Sequence, residues 1–130
     1  MNQPTLRAEI FLDLSSSLSA VDRNGKALSF LLDANTITDS SQNEEQYLEA
    51  KISLGEMYRK IQEYDKAMQT LKEVLHQTAQ HTYHQARCLN RIAAVFSETG
   101  QLDSSLYYSK QSLALAESIN HADLIATAEN

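Results

Sequence analysis

Arg87, Asn90 and Arg91 stand at i, i+3 and i+4, which places all three on one face of a helix. Guanidinium groups grip a carboxylate through paired hydrogen bonds, so this cluster suits the carboxylate of a peptide. The competing reading is a solvated face paired with Glu49 or Glu56, worth about 0–1 kcal/mol per pair. His76, His81 and His84 form a second group, but metal sites need converging ligands, and no cysteine or carboxylate is well placed beside them. They read as surface histidines at helix ends, and no metal is assigned. Ser15, Ser16, Ser17 and Ser19 share their helix with no histidine and no sharp strand–turn–helix elbow. Gly25, Gly55 and Gly100 are too far apart to cradle a phosphate. Glu44 and Glu45 fit the start of a helix better than acid–base chemistry. No catalytic residue and no cofactor follows from these groups, and the chain reads as a non-enzyme.

Bulk properties narrow the class further. The 130 residues fit a single domain, and one proline with three glycines is too little turn chemistry for an all-β fold. A net charge of −6 argues against nucleic acid and anionic membrane surfaces as partners. Cys88 is the only cysteine, which rules out an internal disulfide and reads as a small packed thiol. No apolar run approaches the roughly 18 residues of a membrane span. Ile10-Phe11-Leu12, flanked by Glu9 and Asp13, is too short for a signal peptide. The segment reads as soluble and untargeted, with the cytoplasm favoured and the extracytoplasmic part of a sensor as the alternative.

The elements that hold these residues are helices. From Leu48 to Gln80 an apolar stripe at helical spacing breaks near Gln62 and resumes after Tyr64. Two amphipathic helices joined by a short turn account for it. Gly55 inside the first of them costs about 1 kcal/mol relative to alanine, which makes sense where another helix approaches the backbone closely. Ala67 has the same role on the second. The pattern recurs: Ala27, Ala67 and Ser105 each open a similar apolar series, at spacings of 40 and 38 residues. Ser15, Gly55 and Ala93 form the matching small-residue set on the preceding helices. Helices are expected at 5–20, 24–38, 43–61, 64–79, 83–98 and 102–119. Asn24-Gly25 is expected to break the first hairpin, Ser41 and Glu44 to form a capping box, and Gly100 to cap the fifth helix in a left-handed conformation. A hairpin of this size cannot bury both faces alone, so the expected fold is all-α: a right-handed α-solenoid of antiparallel helix hairpins.

These residues resemble the tetratricopeptide repeat family. Leu54, Gly55, Tyr58, Tyr64, Ala67 and Leu71 match its pattern in the second repeat. Leu89, Ile92, Ala93, Phe96, Gly100, Leu102 and Tyr108 match in the third, with Ser105 and Ser112 where alanine is usual. The first repeat is more degenerate, with Phe11, Leu14, Ser15, Leu18, Ala27, Leu31 and Ala34. The proline that ends the family's repeats is absent, the period exceeds roughly 34 residues, and Lys51 replaces a large apolar residue. The resemblance implies about three repeats at 5–40, 43–80 and 83–119 in one domain over 1–130, with 121–130 as the start of a fourth repeat or a capping helix. The chain then reads as a fragment of a longer protein.

The resemblance also implies a function. The first helix of each repeat lines a concave groove, which carries over to Glu49, Ile52, Glu56 and Arg59 in the second repeat and Arg87, Asn90, Arg91 and Ala94 in the third. The implied function is a protein or peptide interaction module. The alternative is a regulatory input domain of a larger bacterial signalling protein, such as a sensor kinase or transcription regulator. The implied partner is a protein or peptide, or a second copy of the chain.

Overall fold

The computed structural model describes the backbone of residues 3–129 and the side chains of residues 3–120. Six helices follow in order: α1 (Gln3–Ala20), α2 (Asn24–Asp39), α3 (Glu44–Lys60), α4 (Tyr64–Leu75), α5 (Thr82–Glu98) and α6 (Leu102–Glu129). There is no strand among the described residues.

The three tight turns are built alike. Asp22, Gln62 and Gly100 take left-handed φ values of 60°, 65° and 81°. The amides that follow reach back to the last turn of the helix, Arg23 to the Leu18 carbonyl at 2.9 Å, Glu63 to Tyr58 at 2.8 Å and Gln101 to Phe96 at 2.8 Å. The left-handed residues donate their own amides to Ser19, Arg59 and Ser97, at 3.1, 2.9 and 3.2 Å. This double closure satisfies carbonyls that a helix end otherwise leaves bare. It also locates the first turn correctly. Asn24 opens α2 and Gly25 lies within it, so the break falls at Asp22 and not at Asn24-Gly25. Aspartate tolerates the left-handed region well enough to hold this position without a glycine.

Three other boundaries differ from expectation. The cap of α3 is Asn43, whose side chain accepts from the Gln46 amide at 3.0 Å, while Ser41 Oγ accepts from the Asn43 amide at 2.9 Å. A box between Ser41 and Glu44 would need a helix starting two residues earlier. Helix α4 stops at Leu75 and not at 79, because buried Thr78 turns its hydroxyl back onto the Leu75 carbonyl at 2.7 Å. Helix α6 runs past 119 to Glu129 without interruption. Residues 101–130 contain no glycine or proline to stop it. The fourth repeat or cap expected at 121–130 falls on side chains outside the described residues, and the backbone through Glu129 continues α6.

The structure divides into two compact units, up to Thr70 and from Leu71 onward. Helical repeats make mostly local contacts, which is why a short array separates this way. In the first unit Ala27, Leu31, Leu54 and Met57 form a buried cluster with Leu12, Leu18, Leu28, Tyr58 and Ile61 packed on it. Small residues let the helices close in: Ala8, Ala27, Ala34 and Ala50 are fully buried, and Gly55 is buried too. Helix α3 docks on the α1–α2 pair with polar fastenings. Asn35 Nδ2 donates to the Ala50 carbonyl at 3.1 Å, Gln46 Nε2 to Thr5 at 2.9 Å, and Lys51 pairs with Asp39 at 3.1 Å. Lys51 thus occupies its apolar-type position by lying 5.7 Å over the Tyr47 ring with its ammonium at Asp39.

The second unit buries Leu71, Val74, Cys88, Leu89, Ile92, Ala93 and Val95. Side-chain donors pin its helices. Ser105 Oγ donates to the Ala93 carbonyl at 2.9 Å and Ser112 Oγ to Ala86 at 2.6 Å, so both serines at alanine-type positions fasten α6 to α5. Cys88 Sγ donates to the Leu71 carbonyl at 3.1 Å.

Candidate functional site

The two serine bonds fix the register of α6 on α5, and beside them the helices leave a cleft of about 360 Å³. Helix α5 lines it with Tyr83, Ala86, Arg87 and Asn90, at i, i+3, i+4 and i+7, one face of the helix. Helix α6 contributes Ser112, Ala116, Ile119 and Asn120. The guanidinium of Arg87 lies 5.8 Å from the centre of the Tyr83 ring. This cation–π contact holds the charge at the wall of the cleft. The lining joins apolar surface from Tyr83, Ala86, Ala116 and Ile119 to polar groups from Arg87, Asn90 and Asn120. Such a combination suits an apolar segment that carries a carboxylate.

Of the α5 residues singled out by sequence, Arg87 and Asn90 line this cleft, and Arg91 and Ala94 are half-buried outside it. The α3 residues lie in the other unit. Ile52 is fully buried and belongs to the core, so it does not line an open groove; its neighbour Lys51 takes the more exposed position. Glu56 and Arg59 bind each other, with Arg59 Nε donating to Glu56 Oε2 at 3.0 Å, and Glu49 is half-buried. Among the repeat positions, Leu54, Gly55, Ala67, Leu71, Leu89 and Ala93 are buried, and Tyr58, Phe96 and Ser105 are half-buried. Phe96 stacks on Tyr108 at 5.5 Å.

Sequence reasoning did not place Tyr83 or the α6 half of the cleft. Outside the cleft lining, Leu102, Leu106 and Leu113 fall on one stripe of α6 and are 64, 57 and 58% exposed. His81 and His84 meet edge to face at 6.1 Å, and Tyr83 meets His84 edge to face at 5.4 Å. Among the described residues no group of three His, Cys, Asp or Glu side chains could hold a metal ion. No described helix is long and apolar enough to cross a membrane. Burial pushes the Cys88 thiol up from 9.0 to about 12, against the opposing pull of Arg87.

No family model and no curated protein matches this chain. Solved structures do. Aspartyl phosphate phosphatase F from Bacillus subtilis is similar over 92% of this chain and 32% of its own, with a TM-score of 0.84 and 15% identity. The TPR domain of Arabidopsis FLU is similar over 88% of this chain and 98% of its own, with a TM-score of 0.77 and 17% identity. MamA is similar over 88% and 61%, with a TM-score of 0.67 and 22% identity. This chain thus spans about a third of the phosphatase F chain. At these identities the likeness establishes the fold alone, an all-α helical-repeat fold similar to that of the FLU TPR domain.

Proposed function

We propose that this chain is a non-catalytic protein-interaction module, and that its site is the α5–α6 cleft. The observation behind this reading is the lining itself: apolar side chains in a space of about 360 Å³ with Arg87 and Asn90 beside them. A protein segment enters with its apolar side chains between the helices and presents a carboxylate to Arg87. Cations on one partner and carboxylates on the other also steer the encounter and select against wrong partners. Nucleic acid is a poor candidate for a chain of net charge −6.

The test is a titration of a labelled Leu/Ala-rich peptide in two forms, one with a glutamate and one with glutamine in its place. The acidic peptide is expected to bind about tenfold more tightly, as a charge-assisted bond implies. In the Arg87→Ala protein that preference disappears. Equal binding of the two peptides to the parent protein sinks the assignment of Arg87.

A second reading has its own support. The likeness to phosphatase F covers only 32% of that protein, which fits a regulatory segment of a larger bacterial signalling protein. Reading the complete open reading frame tests this. An adjoining kinase, transmembrane or DNA-binding segment supports it, and a free-standing frame ending at Asn130 removes it.

A further inference from the structure

We infer that the α5–α6 cleft is filled by helix α1 of a second copy of this chain, in a head-to-tail contact that repeats the way α3 sits on α1 and α2. This rests on the reading of the cleft as a protein-binding site and names its occupant.

The first unit supplies the template. Positions in the first and third hairpins correspond at an offset of 78 residues, from Asp22 to Gly100 at the turns and Ala27 to Ser105 at the small-residue positions. By that offset Thr5, Ala8 and Leu12 of α1 correspond to Tyr83, Ala86 and Asn90, and Ala34 and Thr38 of α2 correspond to Ser112 and Ala116. The cleft in the second unit is therefore the counterpart of the surface that α3 covers in the first. Ala34, Asn35 and Thr38 are 0, 4 and 0% exposed under that cover, while Leu113, the counterpart of Asn35, is 58% exposed.

Helix α1 carries the other half of the same interface. It corresponds to α3 at an offset of 40 residues, so Leu6, Ile10 and Leu14 take the places of Gln46, Ala50 and Leu54. Those three α3 residues all face α1 and α2. Gln46 bonds Thr5, Ala50 accepts from Asn35, and Leu54 shares a core cluster with Ala27 and Leu31 of α2. In α1 the corresponding stripe is 46, 47 and 40% exposed.

Translating the internal contacts gives the pairs across two copies. Leu6 of the second copy meets Tyr83, Ile10 meets Leu113, and Leu14 comes down on the α6 surface that carries Leu106. Two polar fastenings of the internal interface become apolar at both ends at once. A random pair of surfaces has no reason to match so. The charges agree as well. Asp39, which binds Lys51 inside the unit, corresponds to Glu117. Phe11 stands where Lys51 does, and Arg7 lies over its ring at 5.9 Å, bringing a cation to the same place. Helix α1 also carries Glu9 and Asp13 toward an α5 that bears Arg87 and Arg91.

A contact between two different surfaces does not close on itself as an isologous dimer does. Sedimentation equilibrium of the parent chain should thus show mass rising with concentration past the dimer. Ile10→Glu and Leu113→Glu change exposed residues, and circular dichroism checks that each variant remains helical. Each alone should be monomeric, with a Kd raised roughly 100-fold or more by burying an unpaired carboxylate. Mixed together, they should form a 1:1 complex that grows no further, because only one intact pair of faces remains. A parent that stays monomeric to millimolar concentration, or a mixture that stays monomeric, overturns the proposal. A labelled peptide of the α3 sequence, residues 44–60, separates the two levels. If the monomeric parent binds it and neither Leu113→Glu nor Arg87→Ala does, the second copy is wrong and the cleft stands. If none of the three binds, both fall.

Discussion

Exchanging glycine between two of the tight turns is expected to move stability in opposite directions. Gln62 and Gly100 hold equivalent left-handed positions, at φ 65° and 81°. A side chain with a Cβ is disfavoured there by about 1–2 kcal/mol. Glycine offsets roughly 0.5–1 kcal/mol of that through its greater freedom in the unfolded chain. Gln62→Gly should therefore stabilise by about 0.5–1 kcal/mol, and Gly100→Ala should destabilise by a similar amount. A Cβ at Gly100 would meet nothing within 4 Å, so the loss there is conformational and not a clash. Asp22→Gly should gain less, because aspartate already tolerates this region. For a chain of this size 1 kcal/mol moves the midpoint by about 3–5 °C. Urea and thermal melts followed by circular dichroism resolve such changes, and the double variant should lie near the parent if the sites add. Gly100→Ala with unchanged stability, alongside a destabilised Gln62→Gly, would refute the equivalence of the turns.

Two further outcomes follow from the interior. Leu71 is fully buried, so Leu71→Ala should destabilise by about 2–5 kcal/mol in a urea melt. Cys88 links stability to alkaline pH: the unfolded thiol ionises near 9.0, while the buried one keeps its proton to about 12. Its contribution is whole below pH 9 and is lost as pH climbs from 9 toward 12, at up to ~1.4 kcal/mol per pH unit. Melts of the parent and Cys88→Ala at pH 8 and 10 should show the parent losing more, and parallel losses would contradict the burial argument.

The hairpins were legible in the sequence because several signals agree at each one. Apolar periodicity, a small residue at the helix crossing and a nine-residue step from Leu18 to Ala27, Tyr58 to Ala67 and Phe96 to Ser105 all specify the same turn. Helix ends were harder, since Ser41 and Asn43 both cap well and only the backbone decides between them. Nothing in residues 101–130 announces where α6 ends. The candidate site was half visible. Arg87 and Asn90 share a face that spacing alone reveals, but the α6 wall depends on register, which two serine hydroxyls set. Ile52 was misplaced because position in a repeat does not tell which side of a helix meets the core.

The two repeat lengths, 40 and 38 residues, differ entirely outside the tight turns, whose internal steps are the same. The shorter period comes from α4, which ends eight residues after Ala67 where α2 ends twelve after Ala27, while the joint that follows, His76–His81, is two residues longer than Ser40–Asn43 and the corners within hairpins keep count. The second joint offers Gln77, Ala79 and Gln80 to solvent, making it the natural place to splice in a tag or a sensor loop. An insertion at Gln62 would instead slide a whole helix against its partner and turn buried residues outward.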